Sequence, residues 1–104
     1  MAEFHHFGVP SQTVREGATY LEGAKVHVTD PEAHPYRVEF VRCEPGCPLP
    51  EIVQTTPHAA FMVDDLQAAC AGLEIVVPPT AIDDSLSIAF VKNGEALLEL
   101  MQAT

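Results

Sequence analysis

Four residues of this chain have the types and positions to do chemistry together: His6, Glu39, His58 and Glu99. Glu99 poses the problem most sharply. It sits inside "ALLELMQ", with Leu98 and Leu100 beside it and Leu97 and Met101 two positions away. That run reads as a strand with no polar face for a carboxylate. A buried, unpaired carboxylate is costly, so such a Glu must be protonated, paired or bound to a cation. Two imidazoles and two carboxylates suit a single divalent ion: zinc, nickel, cobalt, manganese or iron. Four protein ligands leave open positions for water or substrate, which metal catalysis needs. The bland alternative is a packed histidine and a solvated Glu at each position. It fits Glu39, with Arg37 and Arg42 nearby, better than it fits Glu99.

The elements that must hold these residues repeat. "FHHFGV" near the start resembles "PHAAFMV" in the middle, and "YRVEFVR" resembles "ALLELMQ". Each half opens on a strand with His near its start and closes on a strand with a central Glu. Strand alternation decides which side chains share a face, so only one of His5 and His6 can point at a common target. Strands are expected at 3–9, 24–29, 36–42, 58–63 and 74–77, the last stopped by Pro78-Pro79. A short helix is expected over 64–73, capped by Asp64 and ended at Gly72, with Leu66, Ala69, Cys70 and Leu73 on one face. "SIAFVKNGEALLELMQ" reads as a hairpin turning at Asn93-Gly94. The span from His6 to Glu39 is shorter than that from His58 to Glu99 by about two helical turns. Consistently, "SQTVREGATYLEGA" has two glycines and a poor apolar stripe.

Composition bounds the answer. The chain has 104 residues, 47% of them hydrophobic, which fits one domain with a real core. We expect a module at about 3–45, an ordered crossover at about 46–57 and a second module at about 58–103. Net charge is −10, which repels phosphate backbones and argues against nucleic acid. The N-terminal residues carry no basic, apolar signal pattern, and no apolar run approaches membrane-spanning length. With three cysteines, an odd count, reduced thiols in a cytoplasmic protein are expected. Cys43 and Cys47 enclose "EPG", where Pro45-Gly46 read as turn residues, and no second pair completes a zinc site.

These motifs resemble the vicinal oxygen chelate superfamily of glyoxalase I, methylmalonyl-CoA epimerase, extradiol dioxygenases and bleomycin-resistance proteins. "HFGVP" is similar to the opening strand of its first module. "PHAAFMVDDLQAA" is similar to the start of its second, and "NGEALLELMQ" to its closing hairpin with a ligand Glu. The likeness runs from Phe4 to Gln102. It implies an α+β fold of paired βαβββ modules in a curved mixed sheet, with the first module shortened. It implies His6, Glu39, His58 and Glu99 as ligands of one divalent metal ion; matching His6-Phe7-Gly8 to His58-Ala59-Ala60 favours His6 over His5. His27 and His34 match no ligand and are expected at the surface or a pocket edge. The implied activity is a metal-dependent lyase or isomerase acting on a small vicinal-oxygen substrate through an enediolate or enolate. Glu99 or Glu39 is then the proton-transfer base. The fourth ligand leans away from the facial triad of the iron dioxygenases. The alternative is a non-catalytic, resistance-type binding protein, and a third reading is a ferredoxin-like domain whose His and Glu are incidental. A homodimer is expected from the apolar face of so small a sheet.

Overall fold

The computed structural model describes residues 2–104. They form two compact units, His6–Pro57 and residues 2–5 with His58–Thr104. The secondary structure is mixed sheet with few helices, an α+β fold.

The unit His6–Pro57 holds most of β1 (Glu3–Pro10), then β2 (Thr19–Leu21), β3 (Val26–Val28) and β4 (Val38–Cys43), in the order β2-β3-β4-β1. β1 runs parallel to β4; the other pairs are antiparallel. No α-helix joins β1 to β2; among the described residues the only helical turn before β3 is a 3₁₀ turn, Glu22–Ala24. The expected strand at 24–29 is therefore trimmed to three residues. The strand expected at 36–42 starts two residues late, because Arg37 takes a left-handed φ of 57° that no strand continues. The stretch expected as the crossover has regular structure of its own. It contains a short helix, α1 (Glu51–Thr55), which packs on β4 and buries Val53. Gln54 ties it down by donating to the carbonyl of Leu49 at 2.7 Å.

The other unit carries β5 (His58–Met62), α2 (Leu66–Cys70), β6 (Glu74–Asp83), β7 (Leu86–Asn93) and β8 (Ala96–Ala103), in the order β6-β7-β8-β5. β5 is parallel to β8. Each unit is thus a strand followed by a three-strand meander whose last strand returns beside the first. α2 packs on β7 and β8, where Leu66, Cys70, Ala89, Val91 and Leu100 form a buried cluster.

Three further boundaries differ from expectation. Asp65, not Asp64, caps α2, accepting from the Ala68 amide at 3.2 Å. β6 does not stop at Pro78-Pro79 but runs through them. It lies at the outer edge of its unit's strand order, and its register with β7 slips between Val77 and Thr80, so the missing amides break no regular ladder. The final hairpin turns at Gly94-Glu95, one residue later than expected, because Asn93 still pairs with Ala96. Gly94 has φ +62°, which glycine adopts without strain.

Candidate metal centre

The two His–Glu pairs are built the same way. In β1–β4, Gly8 lies beside Glu39; in β5–β8, Ala60 lies beside Glu99. His6 and His58 each stand two residues before that small residue. Side chains two apart on a strand share a face, and residues side by side in parallel strands do too. Each His therefore reaches its Glu diagonally across a small residue. The His6 Nε2–Glu39 Oε1 distance is 3.3 Å and the His58 Nε2–Glu99 Oε1 distance is 3.2 Å. His6 and His58 are buried, and Glu39 and Glu99 keep only 17% and 12% of their side-chain surface exposed. Gly8 and Ala60 are buried as well, so a long side chain at either place would stand between the partners.

Glu99 is thereby accounted for within its own unit. β8 is apolar on both faces because both are covered. Leu98 and Leu100 turn towards α2, whereas Leu97 and Met101 share the face of Glu99 and are themselves buried. Phe90, directly across from Glu99 on β7, packs its ring edge-on to His58 at 5.0 Å. Phe90 is a supporting residue that sequence reading did not single out. Its place opposite the central Glu of the final hairpin is the signal that could have found it.

Of the adjacent histidines, His6 is the one paired with Glu39; alternation turns the half-buried His5 to the other face of β1. Arg42, offered as a neighbour that would keep Glu39 solvated, lies on the opposite face of β4 across from His27. His34 lines an open pocket of about 270 Å³ with Arg15, Thr29, Val38 and Phe40. His27 is more engaged than a surface residue. Its Nε2 lies 2.8 Å from Glu44 Oε2, its ring sits 4.5 Å from that of Tyr20, and the Tyr20 hydroxyl donates to Glu44 at 3.2 Å. The Glu44 carboxyl is held below its ordinary value, first by the hydrogen bond from His27. This cluster joins β2, β3 and the end of β4, and no spacing rule in the sequence announces it.

Chemically, His6, Glu39, His58 and Glu99 are a donor set able to hold a metal ion, offering imidazole nitrogen and carboxylate oxygen. No other group of three or more His, Cys, Asp and Glu of this kind occurs among the described residues. No helix of the described residues is long and apolar enough to cross a membrane. No protein-family model matches the chain, and no curated protein matches it significantly.

Proposed function

We propose that His6, Glu39, His58 and Glu99 are the four protein ligands of one divalent ion, and that the chain is a short glyoxalase-like lyase or isomerase. The observation that carries this reading is the repetition. The same residue types stand in the same register on the same kind of parallel strand pair, once in each unit, with His–Glu distances of 3.3 and 3.2 Å. A packed core histidine has no reason to recur with its carboxylate partner in matching positions. When bound, the ion supplies Lewis-acid stabilisation of the oxyanion that develops as a small vicinal-oxygen substrate loses a proton. The chain's own part is to present both carboxylates from strands, whose side-chain directions are fixed by packing. Phe90 and the apolar residues beside Glu99 keep its surroundings dry. Glu99, with Glu39 as its counterpart, moves the proton. The working form is a homodimer.

The second reading is a binding protein of the same fold without chemistry. It is favoured by the reduced first unit, whose β2 and β3 have three residues each.

The deciding experiment is metal content. The protein is purified without a His tag, and bound metal is measured by mass spectrometry beside Glu99→Gln and His58→Ala. Stoichiometric metal in the native chain, lost in both variants, is the expected result. A native chain that holds no nickel, zinc, cobalt, manganese or iron, and does not shift its melting temperature with any of them, would sink the enzyme reading.

A further inference from the structure

Cys43, the last residue of β4, and Cys47 stand on either side of a tight turn, near enough for the Cys47 sulfur to act on the Cys43 thiol. The chain brings them together by a turn. The Cys47 amide donates to the Glu44 carbonyl at 3.1 Å, and Gly46 takes φ +87°, the value the third residue of a type II turn requires. Pro45 presets the position before it. Cys43 is fixed as the last residue of β4, paired with Val26, and the Glu44 amide donates to the Lys25 carbonyl at 2.9 Å. On the other side, Gln54 donates to the Cys47 carbonyl at 3.4 Å. Both sulfurs are therefore held by ordered backbone. Cys43 is buried and Cys47 half-buried, so the pair has one thiol that solvent can reach and one behind it. A metal role does not fit, because no third ligand of His, Cys, Asp or Glu joins them among the described residues.

We propose that Cys43 and Cys47 are a peroxide-oxidisable dithiol that closes to an intramolecular disulfide. Cys47 attacks one oxygen of hydrogen peroxide, the O–O bond breaks, water leaves, and Cys47 becomes a sulfenic acid. The Cys43 sulfur then attacks the Cys47 sulfur, the S–O bond breaks, and a second water leaves with the Cys43 proton. Two thiols are oxidised by two electrons and one peroxide is reduced to two waters. Burial comes first among the causes that raise the Cys43 thiol to about 11, followed by its neighbour Cys47, so the first attack belongs to Cys47. The bond staples the end of the strand that carries Glu39 to the start of the crossover. Cys70, buried at the end of α2 in the other unit, has no such partner and stays reduced.

The test uses the full chain, prepared reduced, treated with hydrogen peroxide, blocked with iodoacetamide and cleaved after Glu. Residues 40–51 then leave as one peptide with both cysteines, and Cys70 leaves on another. The expected result is a 40–51 peptide that has lost two hydrogens and takes no label, with Cys70 fully labelled. In Cys43→Ser, Cys47 should instead accumulate as a sulfenic acid trapped by dimedone, an adduct the native chain does not build up. Labelled Cys43 beside a sulfinic Cys47, or a bond from either to Cys70, would overturn the proposal. If Cys43→Ser does not fold, the native-chain map decides alone.

Discussion

The units His6–Pro57 and residues 2–5 with His58–Thr104 share a strand order and a His–Glu register but almost none of their supporting structure. One has α2, a ten-residue β6 and an eight-residue β7. The other has no α-helix between its first two strands, and β2 and β3 of three residues each. Yet the two His–Glu distances differ by only a tenth of an ångström. The pair geometry therefore depends on two parallel strands and a small residue at their crossing, not on the helix. What the helix governs is how much apolar surface each sheet face buries.

The largest test of that difference is in the cores. Leu100 lies buried under α2, and Phe40 holds the corresponding place after Glu39 on β4, half-buried, with the Arg15 guanidinium 3.7 Å over its ring. Leu100→Ala should cost about 3–4 kcal/mol in urea unfolding, as buried leucine truncations do. Phe40→Ala should cost roughly 1–2 kcal/mol, since the ring already sees solvent. Equal costs would mean that the face without a helix is as well packed as the other.

Next comes the ion. If the two pairs share one metal, His6→Ala and His58→Ala should lose it alike. Chelating the native protein should remove about 2.7 kcal/mol of stability measured at a hundredfold excess of metal over Kd. Loss in only one of the two variants would assign the ion to a single unit and break the symmetry.

The sequence made this comparison visible because the His–Glu pattern is carried by strands, whose two-residue period fixes direction. The strand that carries Glu99, the choice of elements around α2 and the missing first helix were all readable. Boundaries were less so. Pro78-Pro79 forbids a regular ladder but not an edge strand whose register slips, and that depends on having β7 on one side only. Asp64 and Asp65 are chemically interchangeable as caps; which one serves is set by where β5 releases the chain, a tertiary matter. The cluster of Tyr20, His27 and Glu44 brings together three elements with no shared spacing, so no local pattern could reveal it.

Caps give a smaller effect in the same comparison. Asp65 caps a helix that packs on the core, whereas Asp30 accepts from the Glu32 amide at 2.9 Å to cap only a 3₁₀ turn, Pro31–Ala33. Asp65→Ala should cost about 1 kcal/mol of global stability. Asp30→Ala should fray its turn, seen as faster amide exchange at Glu32, with little change in the unfolding midpoint. A global loss as large for Asp30 would show that the turn is part of the cooperative core.

The smallest effect is the most local. Glu44 follows β4, and the corresponding residue after β8 is Thr104, which is uncharged and donates its hydroxyl to the Asp84 carbonyl. Only the first unit therefore carries a titratable latch at this point. Because the folded state holds Glu44 below its ordinary value, its contribution is fully present above that value and is lost as pH falls through the depressed one. The melting-temperature gap between the native chain and Glu44→Gln should thus be open at pH 7 and narrow on acidification. The same substitution should act oppositely on Tyr20. Its hydroxyl is raised above 10.0 first by desolvation and then by its hydrogen bond and charge contact with Glu44. Removing the carboxylate should bring Tyr20 part of the way back, since the desolvation stays. An ultraviolet titration of the native chain beside Glu44→Gln reads this directly. A Tyr20 curve that does not move would mean that Glu44 is solvated away from the ring, and the latch would then rest on His27 alone.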